Sequence, residues 1–365
     1  MTIPMGILTL TPEENDGYFK EIGKRAVEFD IALYLFSPLN IKPENSLIFG
    51  YQFDADNAEW IKTEFSIPHF LYDRCFYGAD RGSKEAKTIV SWLKARKDIT
   101  FLGYGLPNKW ILYEGLKNHP LISPYLPMTT KASSAEKVIN ELSKYEEIIL
   151  KPIDGAHGYA VYSIRSDGKA IVVKTTKKGK IVEKKFENIE QISPWLESLL
   201  IKHIFLIQPR LDNRNKNNEP FDLRVFIQKD PEGNWKEVGR GVRNGKKYGL
   251  LTNISAGASV QTYHSWLPTV PSFDHHYLSN ELQSLLSILP IELEKSFHPL
   301  FELGIDIIIA RDQSLWILDM NSKPGRKIIS LNHPNELESL YKAPLAYCQF
   351  LANQQSIDSA AIKLN

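Results

Sequence analysis

Hydrophobic and polar positions alternate along this chain in short runs, and the period of the alternation changes several times. Met5 to Leu10 and Ile31 to Phe36 are apolar runs of strand length. Between them, Phe19, Ile22, Gly23, Ala26 and Val27 recur near helical spacing, which predicts a helix over 16–29. Ser46 to Gly50 and Phe70-Leu71-Tyr72 are weaker strand signals, Ser83 to Arg96 reads as a helix capped by Ser83, and Thr100 to Gly103 as a further strand. Strands alternating with helices predict an open α/β sheet over residues 1–105.

Beyond that point the pattern changes. Asn108 to Lys117 reads as a helix with Asn108 as its cap, and Ser134 to Tyr145 as another. Glu147 to Lys151 is a strand, followed by three candidates (159–164, 170–175 and 180–186) whose turns at Asp167-Gly168 and Lys178-Gly179 predict an antiparallel meander. Strands ending near Leu211, Gln228, Val242, Ile309 and Asp319 form a second group, with helices over about 277–299 and 334–352. Grouping of this kind predicts α+β lobes. Asp212 to Pro220, rich in asparagine, reads as an exposed, mobile loop, and His275-His276 as a polar turn.

Composition narrows the class. Of 365 residues, 43% are hydrophobic and 24% charged, ordinary values for a globular protein, and the length predicts two or three domains. A formal net charge of +1 argues against a broad surface for nucleic acid or acidic membrane. Two cysteines, Cys75 and Cys348, have no metal-ligand spacing and suggest no disulfide framework. There is no secretory pattern at the N-terminus and no apolar run of spanning length, so a cytoplasmic location is expected.

The densest chemical signal is Leu315-Trp316-Ile317-Leu318-Asp319-Met320-Asn321-Ser322-Lys323-Pro324-Gly325. On a strand, Asp319 and Asn321 share a face. Thirteen residues upstream, Gly304-Ile305-Asp306 places another carboxylate in an equally apolar run. Three oxygen-bearing side chains suit a hard divalent cation completed by water and phosphate. Upstream, Lys151 leads into Asp154-Gly155-Ala156-His157-Gly158, where glycines allow backbone N–H groups to approach a phosphate; a Gly-rich hairpin with a surface lysine fits the same residues. Gln208-Pro209-Arg210-Leu211 ends a strand with main-chain groups suited to a flat heterocycle, although Pro209 can only accept. Asp222 and Arg224 share a strand face, as a phosphate-binding arginine or a structural pair; Arg240 and Arg243 follow, then the small-residue segment Thr252-Asn253-Ile254-Ser255-Ala256-Gly257.

The order of these motifs resembles the ATP-grasp superfamily of carboxylate–amine ligases over roughly 106–350, with Asp319 standing where those enzymes more often carry Glu. Met5-Gly6-Ile7-Leu8-Thr9, Tyr72-Asp73-Arg74 and Asn108-Lys109-Trp110 are similar to the YheC/YheD-type proteins, a branch associated with endospore coats. The resemblance implies an ATP-grasp fold of two α+β lobes clasping ATP over 106–355 (lid lobe about 120–205, C-terminal lobe about 206–355), preceded by an α/β pre-ATP-grasp domain over 1–105. It implies that Lys109, Lys151, Gly155, His157, Gly158, Gln208, Pro209 and Leu211 bind ATP, and that Asp306, Asp319 and Asn321 hold one or two Mg²⁺, replaceable by Mn²⁺. Arg224, Arg243, Asn253 and Gly257 would serve the transferring phosphoryl group. The implied reaction phosphorylates a carboxylate on a small molecule or peptide, and an amine then displaces phosphate from the acyl phosphate. A nucleotide-binding spore coat protein with little catalysis and an ATP-dependent kinase are the alternatives. No nucleic acid or membrane partner is expected, and spore-coat association follows from the resemblance alone.

Overall fold

The computed structural model describes all residues except 1, 15, 43–46, 156–158, 178, 255–256, 271–272 and 364–365, together with the side chains of 358–363. His157 and Gly158 therefore lie outside the described residues.

The first part of the chain forms β1 (Ile3–Leu8), α1 (Gly17–Gly23), β2 (Ile31–Phe36), β3 (Leu47–Asp54), β4 (Glu59–Ser66), β5 (Phe70–Asp73), α2 (Arg81–Ala95) and β6 (Thr100–Phe101). Its sheet has the order β4-β3-β2-β1-β5-β6, parallel from β2 to β6 and antiparallel in the β2–β3–β4 extension. The expected helix over 16–29 stops at Gly23, where any side chain would collide with the ring of Phe53. A short 3-10 turn follows, and Asp30 ends it in the left-handed region at φ 53°. The cap of α2 is Asp80, whose carboxylate accepts from the N–H of Ser83; the expected cap, Ser83, lies inside the first turn. Strand β4 carried no expectation because Trp60 and Phe65, opposite in parity, are buried in two different cores on the two faces of the sheet.

Next come α3 (Lys109–Leu116), β7 (Thr130–Lys131), α4 (Ala135–Leu142), β8 (Glu147–Pro152), β9 (Tyr162–Ser166), β10 (Ile171–Lys177), β11 (Lys180–Phe186), α5 (Ile189–Leu200) and β12 (Phe205–Pro209). They build a second sheet, β11-β10-β9-β8-β12-β7, with the expected meander over β9–β11. Val138, Leu142, Ile192 and Leu196 from α4 and α5 cover one face. The other face is left for the cleft.

The third sheet, β15-β14-β13-β16-β17, is wholly antiparallel. It comprises β13 (Phe221–Lys229), β14 (Trp235–Asn244), β15 (Ser259–Thr262), β16 (Glu302–Ile309) and β17 (Leu315–Asn321). Helices α6 (Tyr263–Trp266), α7 (His275–Ser296), α8 (Lys327–Asn332) and α9 (Leu337–Lys363) accompany it. His275 and His276 open α7 instead of forming a turn, because Asp274 accepts from the N–H groups of His276 and Tyr277. Within the stretch expected to be an exposed loop, Asn213 is buried and donates to Phe221 O at 2.7 Å. Leu278, Leu282, Leu285 and Leu289 of α7 pack beneath the sheet, while α9 returns to the first sheet, where Leu345, Tyr347 and Cys348 share a core with Met5 and Ile7.

Candidate functional site

The second and third sheets face each other across a cleft of about 980 Å³, counted out to its mouth. Ile149, Lys151 and Val161 line one wall; Asp222, Arg243, Asp306, Leu318 and Asp319 line the other; Gln208, Pro209 and Leu211 form the connection between them. Leu251, Thr252, Asn253, Gly155 and Tyr159 complete the lining. Sequence positions more than two hundred residues apart are thus gathered by strand pairing.

The register of the third sheet makes the charged cluster. Asp222 lies opposite Arg243, Arg224 opposite Asp306, and Asp306 opposite Asp319. Arg224 can lie across the sheet because residue 304 is glycine: a Cβ there would sit 2.5 Å from the arginine's Nη1. A bulge between Asp306 and Ile307 leaves Leu318 without an opposite residue. Its carbonyl accepts from Lys151 Nζ at 3.0 Å, joining the two walls. Asn108 caps α3 as expected, accepting from Trp110 and Ile111 N–H, which fixes Lys109 at the first helical position. From there its ammonium reaches Asp319 Oδ1 and Oδ2 at 2.5 and 2.6 Å.

Electrostatics follow from this crowding. Burial and the neighbouring Lys109 charge push Lys151 down to about 8. Burial raises the Asp319 carboxyl, but Lys109 and Lys151 outweigh it and hold the group below its ordinary value. Asp222 is fully buried and accepts from Arg243 Nε at 2.7 Å, Arg243 Nη2 at 2.5 Å and the Thr252 hydroxyl. Burial raises its carboxyl despite Arg243, while Asp222 and Asp306 raise the guanidinium of Arg243 against the effect of burial. The resolved partner of Asp222 is therefore Arg243; Arg224 pairs with Asp306.

Asp306 Oδ1 lies 2.9 Å from Arg224 Nε and 2.9 Å from Arg243 Nη2, yet no N–H is aligned on it, so it is buried without a hydrogen bond. An under-satisfied buried carboxylate oxygen beside Asp319 fits a hard cation. Asn321 ends β17 two residues after Asp319, its Oδ1 accepting from Lys323 N–H at 2.8 Å. Among the described residues, no group of three or more His, Cys, Asp and Glu side chains could hold a metal by itself. A divalent ion here would draw on Asp306, Asp319 and Asn321 together with phosphate oxygens, as Mg²⁺ commonly does.

Ten expected site residues line the cleft: Lys109, Lys151, Gly155, Gln208, Pro209, Leu211, Arg243, Asn253, Asp306 and Asp319. Arg224 stands behind Asp306, Asn321 sits at the strand end, and Gly257 turns the following loop at φ 90°. The Gln208 side chain is committed to Thr129, donating to its hydroxyl at 2.8 Å, so the hinge offers the main chain of this residue. Arg240 pairs with Glu237 and lies outside the cleft lining. The Leu318 carbonyl escaped the sequence reading, and Thr252 was read only as part of a small-residue segment and not as a partner of Asp222. Thr252 adjoins the flagged Asn253, whereas a bulge carbonyl has no residue-type signal.

Residues 98–351 match the family model described as YheC/D like ATP-grasp. The chain is 39% identical to the endospore coat-associated protein YheC of Bacillus subtilis (strain 168), covering 97% of each. Among solved structures, the D-alanine–D-alanine ligase from Coxiella burnetii superposes with a TM-score of 0.52 at 12% identity, over 100% of this chain and 99% of that one. The ATP-grasp ligase PsnB, complexed with a minimal precursor, Mg and ADP, gives 0.52 at 13% identity over 94% and 98%. These likenesses extend the fold assignment to the whole length, including the first sheet. The chain belongs to the YheC/D-like ATP-grasp family.

Proposed function

We propose that this protein is an ATP- and Mg²⁺-dependent ligase that joins a carboxylate to an amine and releases ADP. The observation that carries the reading is the convergence of Lys109, Lys151, Arg224 and Arg243 with Asp306 and Asp319 at one end of a cleft closed by the 208–211 hinge. Packing alone does not require four cations and two carboxylates in that position. A phosphoryl group in flight needs them, because its catalysis is mostly positioning and charge neutralisation.

In this reading the domains divide at about residue 105, and the nucleotide base lies against Pro209 and Leu211, where a proline carbonyl can accept from an exocyclic amine. Lys109 and Lys151 bind phosphates. Asp306, Asp319 and Asn321 hold Mg²⁺, which when bound neutralises charge on the phosphate oxygens. Arg243 faces the transferring group, Arg224 adds its charge from behind Asp306, and Asn253 and Gly257 shape the loop beside it. The substrate carboxylate attacks the γ-phosphorus, the bond to the β–γ bridging oxygen breaks, and ADP leaves with that oxygen. The amine then attacks the acyl carbon, phosphate departs with one former carboxylate oxygen, and the amine loses a proton. None of this uses a protein nucleophile. The resemblance to YheC suggests a role at the spore coat, and the precursor bound by PsnB suggests peptides among the substrates.

Oxygen transfer tests the reading. Small molecules that co-purify with the protein, identified by mass spectrometry after denaturation, supply the carboxylates to be offered with ¹⁸O label and a panel of amines. ADP release that requires both, with label appearing in inorganic phosphate, is expected. ADP release without an amine, accompanied by a stable phosphorylated product, would establish a kinase instead. Nucleotide binding without turnover on any combination would establish a binding protein.

A further inference from the structure

The outer half of the second sheet is charged in a way the rest of the chain is not. Between Tyr162 and Phe186 lie eight lysines and arginines against two carboxylates, Asp167 and Glu183, although the whole chain carries a net charge of only +1. Of these, Arg165, Lys174, Lys177, Lys180, Glu183, Lys184 and Lys185 lie on β9, β10 and β11. Strand β11 is the free edge of its sheet, and six of its seven residues are exposed. Ile181 and Val182 are among them, so the edge presents apolar footholds between its lysines.

An open strand edge offers unpaired N–H and C=O groups to another extended chain. Lysines on such an edge guard against pairing between copies, and they do so here: a second β11 would bring Lys180, Lys184 and Lys185 against like charges with only Glu183 to offset them. The same charges favour a strand carrying carboxylates. Lys177 and Lys180 face each other across two residues, which makes them the bonded pair closing the hairpin. By alternation, the N–H and C=O groups of Ile181, Glu183 and Lys185 turn outward.

The edge also leads to the cleft. Glu183 lies opposite Lys174, Lys174 opposite Ser163 and Ser163 opposite Ile149, so these residues share the face that Ile149 turns into the cleft. At the hairpin tip, Gly179 O accepts from Lys246 Nζ at 2.7 Å, and Lys246 lies beside Gly257 at the end of the loop carrying Asn253. We propose that the β11 edge docks an extended acidic polypeptide segment as an added strand, delivering it along the cleft mouth. A nucleic acid would meet the lysines but has no peptide backbone to match the outward N–H and C=O row. The proposal goes beyond the ligase reading and is measured by binding alone, so either can fail without the other.

Fluorescence anisotropy tests it with the full chain, a labelled octapeptide of alternating Glu and Val, the Lys-Val counterpart, and an oligothymidylate of equal length. An unchanged melting temperature and far-UV circular dichroism spectrum verify the fold of each variant. Saturable binding of the acidic peptide alone is expected, weakened roughly tenfold by the double change Lys184→Glu and Lys185→Glu. Glu183→Gln and Glu183→Pro remove the same negative charge, but only proline removes an outward N–H while sparing the ladder to β10. Glu183→Gln should bind at least as tightly as the parent, and Glu183→Pro about fivefold more weakly than Glu183→Gln. Equal affinity of the two Glu183 variants, or oligothymidylate binding as tightly as the acidic peptide, would overturn the proposal.

Discussion

Lys151 provides a sharp test because its charge state is balanced near neutral pH. Burial and the Lys109 ammonium hold it at about 8, more than two units below the ~10.4 of a free lysine. A bound phosphate opposes both effects and restores the proton, so nucleotide binding above pH 8 must be accompanied by proton uptake. With a free-protein value of about 8 and an ordinary value in the complex, ADP affinity falls about tenfold between pH 7 and 9. Calorimetric titration in two buffers of different ionisation enthalpy measures both the affinity and the protons taken up. The stability of the free protein moves the other way. The folded state holds the Lys151 proton less tightly than the unfolded chain, so the unfolded state binds more protons between about pH 8 and 10 and this contribution to stability rises with pH. Lys151→Arg, which keeps its charge throughout, should bind ADP with little pH dependence. A wild-type affinity that is flat from pH 7 to 9, or an unchanged slope in Lys151→Arg, would refute the assignment of the ammonium to a phosphate.

Three further outcomes follow from named contacts. Arg243→Ala should remove ATP turnover and also destabilise the fold by ~3–5 kcal/mol in urea titration, because it strands the fully buried Asp222 carboxylate; Arg243→Met combined with Asp222→Asn should recover much of that stability but not the turnover. Glu302→Ala should lower the melting temperature by roughly 6–12 °C in calorimetry, since Glu302 is buried, accepts from Tyr72 OH at 3.0 Å and pairs with both Arg74 and Arg326. Mg²⁺ should tighten ADP binding at least ~tenfold in titrations with and without the ion, and Asp319→Asn should reduce that coupling.

The strand carrying Asp319 and Asn321 was legible because an apolar run ends in two oxygen side chains of the same parity. Its neighbours were legible for the same reason, and motif order then supplied what parity could not: which strands lie together. Pairing partners were less accessible. Asp222 and Arg224 share a face in sequence, yet Asp222 bonds Arg243 across the sheet and Arg224 pairs with Asp306 opposite it, its guanidinium lying over Gly304. Local spacing cannot choose between a partner two residues away and one on the next strand. The β3–β4 hairpin was half missed because β4 buries Trp60 and Phe65 on opposite faces, which cancels the alternation that marks a half-buried strand. The helix expected from about 277 begins at His275, and its first two residues were read as a turn because its cap, Asp274, follows a proline-containing stretch that resembles a loop.

The charge pattern of the cleft argues that phosphate and metal enter together. Three cations of the cleft cluster already have a carboxylate: Lys109 has Asp319, Arg224 has Asp306, and Arg243 has Asp222 and Asp306. Phosphates arriving alone would draw Lys109 away from Asp319 and leave that carboxylate beside new negative charge. A divalent cation arriving alone would compete with the same ammonium for the same oxygens. Arriving together, phosphate takes the ammonium and the cation takes the carboxylates, so every charge keeps an opposite neighbour in a site where low dielectric makes an unpaired one costly. Lys151 differs from these three. Its ammonium is held by a carbonyl, that of Leu318, and not by a carboxylate, so no ion pair must break for it to meet a phosphate. That difference, with the burial and the Lys109 charge that lower its affinity for a proton, suits Lys151 to be the first contact for an incoming nucleotide.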